Sequence, residues 1–387
     1  MVFAATHCGS FAEAERALAE LASLALPAKR IWRATQQAGQ QRVDEQRQAA
    51  EGYEALPLPA RRTSPAGVAV PPVACVTMDG GRFQRRERRG VEPDAEQSTC
   101  WREMKVGCLA SMASESSAVD PCPELPGTFA DPGRMREIAQ QIKRFSREQE
   151  ADAMPDDESA DTPAARAGRP QVLERGVVAT AEDVTIFGPR LAAAAYARGF
   201  HAAPRKAFVA DGSETNWGVW RKCFSHYTPI VDFIHALMYV YAAAMAGTTS
   251  SAGWQRYRGW AQWLWSGAVE ELLAALADRQ RELGEPAAGE SGTPAAQVAE
   301  SLRYLTNQRE RLKYDEYRRQ GLPITSTLVE STIKQLNRRV KGTEKFWSAG
   351  IEPMLALLAD HLSQQPYPAS TAHPGRPAMS PACQQAA

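Results

Sequence analysis

Two short apolar runs that each end in Asp-Gly constrain this chain more than any other feature. "VACVTMDGG" closes on Asp79 and "KAFVADG" on Asp211, about 130 residues apart. Apolar, partly β-branched runs of this kind predict buried strands, here with an acid at the C-terminal end. In an α/β sheet that edge is where ligands are met. A glycine directly after the acid lets the chain turn sharply and lets a bound backbone come close.

Helical patterns surround these strands. "FAEAERALAELASLAL" and "AKRIWRATQQAGQQRVDEQRQAAEGYEA", separated at Pro27, predict two helices within an N-terminal region of residues 1–56. A short turn followed by a basic second helix is compatible with a helix-turn-helix or an ordinary helical hairpin. Residues 57–72, rich in Pro, Arg and Gly, read as a linker. "CWREMKVGCLASM", after the basic stretch "RFQRRERRG", predicts a second strand paired with the first in a hairpin.

A helix is expected over residues 132–150, then a disordered acidic loop at about 150–170, then a helix around "AEDVTIFGPRLAAAAYARGF". "YTPIVDFIHALMYVYAAAMAG" reads as a strand running into a helix. Residues 243–320 read as all-helical, and their tryptophans, with Trp217 and Trp220 just before, as core rather than a stacking platform. The final helices occupy 321–365, and the Pro/Ala-rich tail 366–387 reads as disordered.

"LPITSTLVESTIKQLNRRVKGTEKFW", residues 322–347, predicts one long helix. Val329, Ile333, Leu336 and Val340 make its apolar stripe. Glu330 stands at the border of that stripe. Lys334, Arg338, Arg339, Lys341 and Lys345 follow, a flank on which a phosphate backbone could lie. The same charges could equally be a solvated face with an incidental acid. Two Asp and one Glu that converge would hold two divalent cations through oxygen. Magnesium (or manganese) suits such a set and the in-line phosphoryl transfer that two ions support.

Three blocks, "MDGG…WREMKVGCL", "VADGSETNW…FSHYTPIVDFIHA" and "NQRERLKYDEYRRQGLPITSTLVESTIKQLNRRVKGTEKFW", resemble the signatures of DDE transposases of bacterial insertion sequences. The closest likeness is to the ISKra type, with a more distant one to Mutator-like transposases. The resemblance implies an RNase H-like mixed sheet with flanking helices. It puts the first Asp on the first strand, the second on the fourth, and the Glu on a helix after an all-helical insertion at about 243–320. Asp79, Asp211 and Glu330 match the three acids. Asp232 and His235 match a C/D-x-x-H signature with an accessory role, and Asp232 competes with Asp211 as second ligand.

The resemblance also implies Mg²⁺-dependent cleavage of element ends and joining of the 3′-hydroxyl to target DNA, by a homo-oligomer on DNA. It implies phosphate contacts from Arg338, Arg339 and Lys341. A nuclease that cuts without joining, and a transposase-derived DNA-binding protein that no longer reacts, are the alternatives. Bulk numbers separate none of these, since the net charge is zero. Seven cysteines without a C-x-x-C pair argue against a zinc ribbon or disulfide framework. They suit a cytoplasmic, nucleoid-associated protein, as does the lack of a signal-peptide pattern. The most apolar stretch carries Asp232 and His235, so it reads as a buried helix rather than a membrane span.

Overall fold

The first Asp-Gly run becomes the central strand of a mixed sheet. The computed structural model describes residues 1–86, 101–147, 169–341 and 346–363. β1 (Val73–Arg86) pairs antiparallel with β2 (Trp101–Ala113), in register from Val73↔Met112 to Gln84↔Trp101. β3 (Gln171–Thr180) lies antiparallel on the far side of β2. β4 (Arg205–Ala210) and β5 (Thr228–Val231) run parallel to β1, so the order is β3-β2-β1-β4-β5. The hairpin and the two Asp-Gly strands were expected. β3, built from "QVLERGVVAT", was not, because it follows the acidic stretch and alternates weakly at its start. The expected acidic loop up to residue 168, and the tail from residue 364, lie outside the described residues.

Strand alternation divides the core between the two faces of the sheet. Val76, Met78 and Phe208 join one apolar cluster with Phe187 and Leu191 of a helix, Val184–Ala197. Phe83, Met104 and Val106 join a second with Val329, Ile333, Leu336 and Val340. The four aliphatic residues of that last stripe are each buried, as the periodicity predicts. They contribute roughly 1.5–3 kcal/mol apiece as an upper bound.

The N-terminal helices are α1 (Val2–His7), α2 (Phe11–Ala22) and the long α3 (Ala28–Ala55), with a short α4 (Leu58–Arg61) in the expected linker. α3 does not stand apart as a presented reading helix. Its buried residues, Ile31 to Ala50, run against the Val184–Ala197 helix and the last helix, Ser348–Leu362. Arg42 anchors it, with Nε 2.6 Å and Nη2 3.0 Å from the two carboxylate oxygens of Asp360.

In chain order the remaining helices are α5 (Pro132–Arg147), α6 (Val184–Ala197), α7 (Glu214–Cys223), α8 (Phe233–Met245), α9 (Ser250–Trp265) and α10 (Val269–Leu283). They continue with α11 (Pro294–Gln308), α12 (Tyr314–Arg319), α13 (Thr327–Val340) and α14 (Ser348–Leu362). The helical stretch shares its core with the sheet. Trp260, Trp265, Leu272, Leu276, Val298 and Leu305 belong to the same apolar cluster as Val76 and Phe208. Trp217, Trp260 and Trp265 are buried and Trp220 and Trp254 pack against the core, in keeping with a packing role, whereas Trp263 is exposed. α12 also shields the β5 edge: Tyr314 Oη donates to the Val231 carbonyl at 3.0 Å. An edge covered in this way offers fewer free groups to other chains. Among the described residues, no helix is long and apolar enough to cross a membrane.

The long helix expected over 322–347 is shorter, Thr327 to Val340. Its expected first turn is spent on tertiary bonds instead. Phe233 N donates to the Ile324 carbonyl, and Ser326 N to the Asp232 carboxylate. Beyond it a two-residue β6 (Phe346–Trp347) pairs with Arg85 and Arg86 at the end of β1.

Behind β4 lies a buried aromatic group around His201. Its Nε2 lies 3.0 Å from the Ala192 carbonyl, which can only accept, so Nε2 carries the proton. Nδ1 then accepts from Tyr227 Oη at 3.1 Å. Burial, reinforced by the neighbouring His226 and Lys206 and partly opposed by the Ala192 carbonyl, pushes His201 from 6.5 down to about 4. The unfolded chain therefore binds this proton more readily, and stability falls as pH drops from 6.5 toward 4. Urea unfolding should show a loss of about 3 kcal/mol across that window from His201, with its contribution flat above it. His201→Gln should shallow that slope. An unchanged slope would show that His201 does not carry it.

Candidate metal centre

The parallel register sets the positions of the acids. β1 and β4 are aligned Val76↔Phe208 and Thr77↔Val209, and β4 and β5 are aligned Val209↔Ile230 and Ala210↔Val231. Continuing both offsets brings Asp79, Asp211 and Asp232 to one level on three neighbouring strands, with about 4.8 Å between strands. β4 and β5 end there, whereas β1 runs on through Gly80 and Gly81 as half of the hairpin. Asp79 thus stands inside its strand, at the point where its parallel neighbour stops, and not at a strand end as expected. Only the second Asp-Gly makes the expected turn, with Gly212 at φ +95°.

Gly81 has a different task. Asp79, Gly81 and Phe83 alternate onto the face that α13 covers. A Cβ at Gly81 would run into Met104 and come within 3.4 Å of Ile333 Cγ2. The glycine thus leaves room for the Met104 side chain on the face that α13 covers, and α13 carries Glu330 in its first turn.

Each acid has distinct partners. Asp79 is half-buried, and its Oδ1 accepts from Gly80 N at 2.7 Å. Asp211 Oδ1 accepts from Ser213 N at 2.9 Å and Asn216 Nδ2 at 2.8 Å. The backbone of the Asp211 turn is held from α11: Tyr304 Oη donates to the Asp211 carbonyl at 2.6 Å, and Gln308 Nε2 to the Gly212 carbonyl at 3.0 Å. Asp232 is wholly buried and caps α8. Its Oδ1 accepts from His235 N at 3.0 Å and its Oδ2 from Ser326 N. Ser326 Oγ in turn lies 3.4 Å from Glu330 Oε1.

Among the described residues, Asp232, His235 and Glu330 form a group whose ligand atoms all lie within 4.8 Å of one another, so they could hold a metal ion. Asp79 and Asp211 lie outside that group but within its electrostatic reach. Burial pushes Asp79 up to about 7. The charges of Asp211 and Glu330 add to this, while the Gly80 N–H and His235 oppose it. Burial and Asp232 likewise raise Glu330, against His235 and Lys334. His235 goes the other way: burial opposes its charge, but Asp232, with Glu330 and Asp211 behind, lifts it to about 9. The Asp232 carboxylate is held below its usual range, since His235 and Ser326 outweigh its burial.

Among the described residues, four acids face the positive charge of His235 and Lys334, and a divalent cation would relieve the repulsion that is left. The carboxylate oxygens fit one as hard donors, and the His235 Nδ1, 3.4 Å from Asp232 Oδ1, could join them only after giving up the proton that Asp232 favours.

Of the basic residues expected along α13, Lys334 is half-buried near Glu330 and Arg338 is exposed. Arg339, expected to face a phosphate, is turned inward and only 2% exposed. Its Nε donates to the Ala5 carbonyl at 3.0 Å, its Nη1 to the Gly9 carbonyl at 3.2 Å, and its guanidinium covers the Phe11 ring. Lys341 is half-buried, with Nζ 5.8 Å from the Trp101 ring centroid. Lys345 lies outside the described residues. Sequence reasoning missed Ser326, Tyr304 and Gln308. Ser326 carried a faint signal, a hydroxyl at the head of a helix one turn before an acid. The other two make their contacts more than ninety positions away in sequence, which no local pattern announces. No protein-family model and no curated protein matches the chain.

Manganese titration followed by electron paramagnetic resonance tests the centre. Glu330→Gln should weaken binding at least about tenfold, since an oxygen ligand becomes neutral. Tyr304→Phe should weaken it only a few-fold, by loosening the turn. Equal binding by wild type and Glu330→Gln would rule this centre out.

Proposed function

We propose that the chain is a DDE transposase that cleaves the ends of an insertion sequence and joins them to target DNA. The observation that carries this reading is the common level of Asp79 and Asp211 at the break of parallel pairing, with Glu330 near enough for its charge to act on Asp79 while it groups in space with Asp232 and His235. The strand order supports an RNase H-like core: three antiparallel strands, then two parallel ones, with an acid on the first and one directly after the fourth. The helices between α8 and α13 stand where an all-helical insertion is expected.

Magnesium (or manganese), when bound, supplies activation of the attacking hydroxyl and stabilisation of the leaving oxygen. The protein's own groups hold and orient. Asp79, Asp211 and Glu330 are the ligands of this reading. Asp232 spends both oxygens on backbone N–H groups of His235 and Ser326, which suits a positioning role and favours Asp211 as the second ligand. The His235 imidazolium offsets part of the carboxylate charge. Arg338, Lys334 and Lys341 continue from Glu330 along one flank of α13, where a strand's phosphates would be neutralised. Arg339, spent on the N-terminal helices, drops out of that role.

With a precut element-end duplex in Mg²⁺, Asp79→Ala, Asp211→Ala and Glu330→Ala should each abolish cleavage and strand joining while binding persists. Arg338→Ala should weaken binding and lower its salt slope by about one. Cleavage without joining would reduce the assignment to a nuclease, and binding with neither reaction to a DNA-binding protein. If Asp211→Ala stayed active and Asp232→Ala did not, the second ligand would be Asp232.

A further inference from the structure

A cavity of about 460 Å³ opens beside the Asp211–Gly212 turn, between α7, α8 and α11. Its lining includes Gly212 and Tyr304 next to the acids, with Trp217, Arg303, Asn307 and Arg311. The metal centre described above uses none of the last four. Arg311 is fixed in place: its guanidinium lies 4.5 Å from the Trp217 ring centroid and 5.9 Å from that of Trp220, and its Nη1 donates to Gln308 Oε1 at 2.8 Å. An arginine held flat on an indole has little rotamer freedom left to lose when it binds. Arg303 is exposed at the rim, one helical turn from Asn307 on the same face of α11. Trp217 is only 1% exposed, and its Nε1 has no acceptor.

The donors outnumber the acceptors. Of the two acids that also line the cavity, Glu214 is paired with Arg221, and Glu300 stands exposed on the rim. A small inorganic anion would meet Glu300 as well as the arginines and gain little. A ligand with an anionic end and a polar planar body uses the whole lining. We propose that this cavity holds one nucleotide of the DNA strand next to the one positioned at the acids, its phosphate on Arg303 and Arg311. The inference rests on the DNA-processing reading. It adds a second point of contact for the strand, one that fixes its direction over the Gly212 turn.

The test is fluorescence anisotropy of a labelled single-stranded oligonucleotide with the full chain in EDTA, so that binding is read without catalysis. Arg303→Gln, at an exposed rim, should keep the native melting temperature and weaken binding about tenfold, with a salt slope lower by about one. Arg311→Gln should do the same if its melting curve is native. A single methylphosphonate linkage walked along the oligonucleotide should reproduce the loss at one position in wild type and add nothing at that position in Arg303→Gln. Unchanged affinity in Arg303→Gln, or equal losses at every neutralised linkage, overturns the proposal. So does displacement of the oligonucleotide by millimolar inorganic phosphate, which would mark a plain anion site. The two readings separate cleanly. Metal-dependent cleavage with a wild-type Arg303→Gln sinks the cavity alone. Position-specific binding through Arg303 in a chain that never cleaves DNA sinks the catalytic reading and leaves the cavity.

Discussion

Mutual repulsion among carboxylates is the constraint around which this structure is organised. Two parallel ladders with constant offsets line up Asp79, Asp211 and Asp232, and α13 adds Glu330 to the same volume. Desolvation makes that crowding worse, because a half-buried charge is poorly screened. The protein meets the difficulty locally in two ways. Backbone N–H groups neutralise part of the Asp79, Asp211 and Asp232 charge, and His235 and Lys334 bring positive charge to Glu330. What remains uncompensated is the opening for a divalent ion.

Rigidity at this point is supplied from distant parts of the chain. Ser326 ties the start of α13 to Asp232, and Arg339 pins its far end to the α1–α2 region. The first and last helices thereby belong to the same mechanical unit as the sheet. The Arg42–Asp360 pair between α3 and α14 completes that frame. A buried, doubly bonded pair of this kind is costly to break on one side only, about 3–5 kcal/mol.

Much of this was legible in the sequence wherever the signal was local. The apolar runs announced β1, β4 and β5, the spacing of Val329, Ile333, Leu336 and Val340 announced the covered face of α13, and burial followed in each case. The acids stood out because charge at the end of an apolar run is unusual. Illegible features were those decided by partners far along the chain. Gly80 and Gly81 looked like a turn but serve in an extended strand, since β2 continues to pair with them. Arg339 looked like its neighbours Arg338 and Lys341, but the N-terminal carbonyls claim it. The first residues of the quoted 322–347 stretch had helical neighbours, yet bonds to Asp232 and Phe233 hold them outside the helix.

Tyr304 and Gln308 grip the peptide groups of Asp211 and Gly212 from a helix that also walls the neighbouring cavity. Helix α11 and the second Asp therefore form a lever with a very short arm. A push on the helix reaches the backbone that carries that carboxylate through two side chains, each with one hydrogen bond. The placement of the second acid is in this way tied to the placement of α11.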